Sequence, residues 1–144
     1  MKKMYIAAAL LFAVCSVHAQ VEKDTTKGIV TYSVGQVKKR PPDIQMWRSA
    51  PKNTEIFSGD KVRTYTRSRA ELDLAELDII RLAPETTIDI IKLYEETKEN
   101  LLETKLNVEE GEIWANVHEV KMETKLDIST PVSAAAITGT VLRL

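Results

Sequence analysis

The sequence predicts a single all-β domain of about ten short strands, folded as a β-roll or solenoid-like coil or as a sandwich. Three observations predict it. Residues 58–82 alternate with period two: Val62, Thr64, Thr66, Ser68, Ala70, Leu72 and Leu74 are small or apolar, whereas Lys61, Arg63, Tyr65, Arg67, Arg69, Glu71 and Asp73 are nearly all charged. Such alternation gives a strand one buried and one wet face. Stretches rich in Val, Ile, Thr and Tyr then recur along the chain between Gly, Pro, Asn and Asp turn signals. Finally, no stretch keeps a convincing helical period, and no segment repeats at a fixed length as a repeat protein requires.

The elements follow in order. Gly28–Val34 is β-branched and aromatic and reads as a strand, broken at Gly35 and resumed at Val37. Arg40-Pro41-Pro42-Asp43 is a loop, because two prolines remove two ladder donors. Ile44–Trp47 reads as a short edge strand, and Ser49–Asn53 as a turn. Ser58-Gly59-Asp60 opens the alternating stretch. A typical strand runs about 5–6 residues, so a turn is expected near Thr66–Arg69, where the small face offers only hydroxyls. Parity is kept across that turn, so both halves can face one core. Ala75–Asp78 reads as a hairpin loop, Ile79–Leu82 and Thr86–Leu93 as strands, Glu95–Asn100 as a charged loop and Leu101–Val108 as a strand. Glu112–Val117, Thr124–Ser129, Val132–Ile137 and Thr140–Leu144 complete the set.

The first 19 residues, MKKMYIAAALLFAVCSVHA, carry two lysines, an apolar run and a small-residue site at Val17-His18-Ala19. This is the anatomy of a secretory signal peptide, and the apolar run falls short of the roughly 20 residues a membrane helix needs. Cleavage after Ala19 is expected, with residues 20–27 as a flexible tether, residues 28–144 as the domain, and a periplasmic or extracellular destination, with no transmembrane helix in the mature chain. Cys15 is the only cysteine and leaves with the leader, since Phe12-Ala13-Val14 is a poor lead-in for lipidation. The mature chain then has no disulfide and no thiolate ligand. Once Lys2 and Lys3 are removed it carries 18 Lys and Arg against 21 Asp and Glu, a net charge of −3. That balance argues against a nucleic-acid partner, which requires a basic footprint.

The order and spacing of several short motifs resemble the FecR domain family. They are Gly59-Asp60, Thr64, Ser68-Arg69-Ala70-Glu71-Leu72-Asp73-Leu74, Ile80-Arg81-Leu82 followed by Thr86 or Thr87, Gly111, and Thr130-Pro131 through Gly139-Thr140. The resemblance covers residues 28–144. It implies an exported all-β domain without catalytic activity or cofactor, which in familiar members is the periplasmic part of a membrane-spanning regulator that receives a signal from an outer-membrane transporter and controls a sigma factor in the cytoplasm. This sequence departs from that layout. It has a cleavable leader where those members have a cytoplasmic segment and a membrane helix, so it looks like a free-standing envelope module.

Candidate sites are few. The basic positions Arg63, Arg67 and Arg69 with Tyr65, next to Lys61, could receive an acidic partner loop or a phosphorylated glycan. The plainer account is a solvated strand face paired to acidic neighbours. The motif positions Gly59, Asp60, Thr64, Ala70, Leu72, Thr130, Pro131, Gly139 and Thr140 read as structural. Asp73, Glu76 and Asp78 lack the glycine and ligand density of a calcium loop. His118 is the only mature histidine, so neither a zinc site nor a Cys-His or Ser-His-Asp centre can be built, and no metal or other cofactor is expected. Trp47 and Trp114 become interface candidates if exposed. The expected function is a non-enzymatic interaction and signal-relay module whose partner is another envelope protein. The alternative is a module that binds a cell-wall or surface glycan, disfavoured by an aromatic content of 6%.

Overall fold

The computed structural model describes residues 27–74, 78–96, 102–117, 124–132, 134–137 and 141–143. The leader with Cys15, most of the tether, Glu76, His118, Gly139 and Thr140 lie outside the described residues. Among the described residues the fold is all-β, with thirteen strands: β1 (Lys27–Val34), β2 (Val37–Arg40), β3 (Arg48–Ser49), β4 (Glu55–Phe57), β5 (Lys61–Thr64), β6 (Arg69–Leu74), β7 (Asp78–Leu82), β8 (Thr87–Glu96), β9 (Leu102–Glu110), β10 (Ile113–Val117), β11 (Thr124–Ser129), β12 (Ala134–Ile137) and β13 (Val141–Arg143).

The strands form a six-stranded sheet in the order β13-β10-β7-β6-β1-β4 and a seven-stranded sheet in the order β12-β11-β9-β8-β5-β2-β3. Pairing is antiparallel except between β9 and β11, which are parallel because the chain visits the other sheet as β10 between them. The alternating stretch explains the layering. It bends at Thr66-Arg67, and its two halves, β5 and β6, enter different sheets. Because parity is kept, Val62, Thr64, Ser68, Ala70, Leu72 and Leu74 all point into one shared core, while Thr66 at the bend is exposed. Ile56, Ile80, Ile88, Ile90, Leu106, Ile113, Leu126 and Ile128 complete that core from both sheets. Burying aliphatic side chains of this size contributes about 1.5–3 kcal/mol each.

The chain changes sheets repeatedly at one end of the molecule. The corners β1–β2, β5–β6, β7–β8 and β9–β10 stand side by side, since the strands they join occur in the same order in both sheets. Backbone bonds connect the corners: Tyr65 N–H to Gln36 O at 3.2 Å, Glu85 N–H to Tyr65 O at 3.3 Å, and Ala83 N–H to Glu112 O at 3.0 Å. The fold thus joins features of a sandwich and a roll.

Two expectations need correction. Ile44–Trp47 is not a strand: Ile44 N–H turns back to Pro41 O at 3.2 Å, and the edge strand is the two-residue β3 that follows. Glu95 and Glu96 are not part of a loop, because β8 continues through them, paired to Glu103 and Leu102; the rest of that expected loop, residues 97–100, lies outside the described residues. The bulges that permit this lie between Ile90 and Glu95, where Tyr94 has φ 46°. Alternation breaks at such bulges, which hid the continuing strand from a period-two reading.

Candidate functional site

The motif residues build the corners. Three of the four corners offer a backbone N–H that no ladder satisfies, and a buried hydroxyl from a neighbouring corner accepts it. Gln36 N–H donates to Ser68 Oγ at 2.8 Å, Thr86 N–H to Thr64 Oγ1 at 3.0 Å, and Glu112 N–H to Thr86 Oγ1 at 3.1 Å. The Thr64 hydroxyl in turn donates to Ala83 O at 2.6 Å. Of the two threonines that fit the motif, Thr86 is therefore the corner residue, whereas Thr87 accepts from Arg63 Nε at 2.9 Å. Gly111 has φ 90°, and a Cβ there would lie 2.5 Å from Thr86 Cα and 2.7 Å from Glu85 O. At the opposite end, Gly59 has φ 87° and Asp60 is buried. The Asp60 carboxylate accepts from Phe57 N–H at 3.0 Å and from Lys39 Nζ at 3.2 Å. Ala70 and Leu72 face the core, and Pro131 is exposed beyond β11.

The basic positions do not share a face. Lys61 and Arg63 lie on the outer face of the seven-stranded sheet, Arg67 is at the exposed bend with φ 55°, and Arg69 begins β6 on the outer face of the six-stranded sheet. Lys61 is neutralised by Glu109 and by Asp89 at 3.5 Å. The bond to Glu109 is the main reason its ammonium pKa is raised. Arg63 instead lies over the Trp47 ring, 4.9 Å from its centroid, with Arg40 over the same ring at 5.2 Å. Lys38 lies over Tyr65 at 5.5 Å. Asp73 is in register with Ile29 and Ile79, whereas Asp78 is on the core-facing row opposite Leu74, so the two carboxylates of the calcium candidate are on opposite sides of their hairpin.

The outer face of the six-stranded sheet carries a row that the sequence did not reveal: Tyr32, Glu71, Arg81 and Trp114 are successive cross-strand partners. Arg81 Nε donates to Glu71 Oε2 at 2.7 Å, and the Arg81 guanidinium lies 4.7 Å from the Trp114 centroid. Glu71 also accepts from the Thr31 hydroxyl at 2.9 Å. These bonds, that to Arg81 first, hold the Glu71 carboxyl below the usual carboxylate range. A groove of about 280 Å³ lies here, lined by Tyr32, Arg69, Ala70, Glu71, Arg81 and Leu82.

Tyr32 reaches this face through a β-bulge. Strict alternation from Val30 would turn Tyr32 and Val34 inward. The register shift between Val30 and Tyr32 instead sets them opposite Glu71 and Arg69, leaving Tyr32 52% and Val34 44% exposed. Bulges re-aim side chains in this way, and the shift is imposed by pairing with β6, so β1 alone carries no signal of it.

One signal for the other face was present in the sequence. Residues 27–70 hold ten Lys and Arg against three Asp and Glu, a net +7, whereas residues 71–144 hold seven against sixteen, a net −9. The near-neutral total conceals this segregation.

Among the described residues, no helix is long and apolar enough to cross a membrane. No curated protein and no solved structure matches the chain. The family model described as FecR protein matches residues 60–144, from the buried Asp60 through the corners built by Thr64, Ser68, Thr86 and Gly111. The match spans more than half of the 144 residues, and the chain belongs to the FecR family.

Proposed function

We propose that this protein is an exported, non-enzymatic module of the cell envelope that relays a signal by docking another envelope protein. FecR membership supports a role in signal transduction through protein contacts. The observation that carries the docking assignment is the row Tyr32–Glu71–Arg81–Trp114, flanked by the exposed Val34, Ile29 and Phe57. Tyr, Trp and Arg dominate binding hot spots because they bring large contact areas and fixed donors. Here the Glu71–Arg81 bond and the Arg81–Trp114 stack hold Arg81 and Trp114 in place before any partner arrives, which lowers the ordering cost of binding.

The same stacking weakens support for a glycan-binding module. Trp47 and Trp114 both have guanidiniums over their rings, which compete with sugars for those faces. Support for a non-enzymatic role comes from the buried polar groups, since Asp60, Thr64, Ser68 and Thr86 are all engaged in fastening the chain to itself.

Crosslinked capture from solubilised envelope, using residues 20–144 as bait, tests the proposal. One discrete protein should be recovered, and Tyr32→Ser with Val34→Ser should reduce its recovery at least about tenfold, the loss of a single hot spot. Undiminished recovery by that variant would remove the docking surface. Pelleting with protein-free cell-wall sacculi would favour the glycan alternative.

A further inference from the structure

We propose that the outer face of the seven-stranded sheet, at its β2–β5 end, is a second docking surface, and that it takes an extended, acidic segment of a partner protein. The proposal does not depend on the surface assigned above, which is on the other sheet.

Three cations define the site: Lys38 and Arg40 on β2 and Arg63 on β5. Among the described residues none of the three has a carboxylate within ion-pairing distance, although Lys61, Lys92 and Lys125 on the same sheet all do. The contrast is local. The charge segregation places a net +7 in residues 27–70, and two of the three acids there are already used, Glu55 by Lys27 and Asp60 by Lys39.

The cations are held rather than free. Arg40 and Arg63 lie over Trp47, which the loop after β2 lays across the sheet, and Lys38 lies over Tyr65. An aromatic face attracts a cation but leaves its charge unneutralised. The N–H edges of a stacked guanidinium remain able to grip a carboxylate with two parallel bonds. The rings act as supports for the cations, not as platforms for a sugar.

The spacing favours an extended peptide over a membrane or a free anion. Lys38 and Arg40 are two residues apart on one strand, so their side chains emerge about 6.7 Å apart, and Arg63 stands directly opposite Lys38. Acidic residues at every second position of an extended chain repeat at the same interval. The sheet also ends here at β3, a two-residue edge strand that leaves the sheet open to an added strand.

Fluorescence anisotropy with two labelled twelve-residue peptides of the same composition tests the proposal, one alternating Glu with Thr and one carrying six Glu followed by six Thr. The alternating peptide should bind residues 20–144 saturably, at least about fivefold more tightly than the block peptide, and weaken as salt rises. Arg63→Gln should weaken it at least about fivefold, and Lys38→Gln, which leaves the Trp47 stack intact, should do so as well. Lys52→Gln, in the turn after β3, should have no such effect. Equal binding of the two peptides, or unchanged binding by both Arg63→Gln and Lys38→Gln, overturns the proposal. So does binding to phosphatidylglycerol vesicles without binding to the alternating peptide. None of these outcomes bears on Tyr32 and Val34, so the two surfaces stand or fall separately.

Discussion

The Thr64 hydroxyl accepts the Thr86 N–H at 3.0 Å and donates to Ala83 O at 2.6 Å, fastening the corner after β5 to the corner before β8. Both threonines are buried. Thr64→Val keeps the shape and removes both bonds, leaving a buried donor without its hydroxyl acceptor. The expected loss of stability is about 1–3 kcal/mol, measured by urea unfolding. A change below about 0.5 kcal/mol would show that water reaches this corner and replaces the hydroxyl.

Gly111→Ala should cost more than Gly59→Ala. Both glycines have positive φ, so each substitution bears the penalty of about 1–2 kcal/mol for that region. At Gly59 the nearest atoms to the new Cβ belong to the Pro42 side chain, at 3.0 Å and beyond, whereas at Gly111 it meets the Thr86 backbone at 2.5 Å and the Glu85 carbonyl at 2.7 Å. The corner must open to admit it, so the loss at Gly111 should exceed that at Gly59 by about 1–3 kcal/mol. Parallel thermal melts of the two variants measure the difference, and equal losses would show that the corner yields freely.

Tyr94 links the two sheets. From β8 its hydroxyl reaches Leu74 O at 2.9 Å and the Asp78 carboxylate, both on the β6–β7 side. Tyr94→Phe should cost about 2–3 kcal/mol. Burial first, and the neighbouring Asp78 charge second, push the phenol well above its ordinary value of 10. The folded protein therefore holds this proton more tightly than the unfolded chain, and the associated stability is intact below pH 10 and lost as pH rises beyond it. Tyr94→Phe lacks this contribution, so its stability should fall less than the wild type's between pH 9 and 11. Parallel slopes in denaturant titrations across that range would contradict the assignment.

Glu71 gives the opposite dependence. Its folded pKa is depressed, chiefly by Arg81, so it contributes stability above its ordinary value of 4.5 and loses that contribution as pH falls through the lower folded value. Because Arg81 is largely exposed, the effect should stay under about 1 kcal/mol. Glu71→Gln should thus be slightly less stable than the wild type at pH 7 and indistinguishable from it near pH 2. A gap that persists at pH 2 would place the role of Glu71 in packing rather than charge.

The parts of the fold that were legible share a cause. The alternation of β5 and β6 is local chemistry, and the bend at Thr66-Arg67 lies where the small face has only hydroxyls. Thr124–Ser129 and the strand breaks at Gly35 and Gly111 follow from the same local preferences. Tyr32 and Glu95–Glu96 were not legible, because bulges decide them and a bulge is a relation between two strands. The basic row of Arg63, Tyr65, Arg67 and Arg69 was seen as one feature because it is continuous in sequence, although the bend distributes it between two sheets.

By itself the sequence determined which residues alternate, where the chain turns, which glycines and hydroxyls are set aside for corners, and the family those spacings mark. These are properties of a few adjacent residues, fixed by steric preference and by transfer of apolar side chains from water. Only the tertiary structure decided which sheet each strand joins, which hydroxyl serves which corner, and which aromatic stands beside which guanidinium. Those choices depend on residues tens of positions apart, such as Tyr32 and Glu71 or Trp47 and Arg63, whose meeting is set by register and twist once the core has formed.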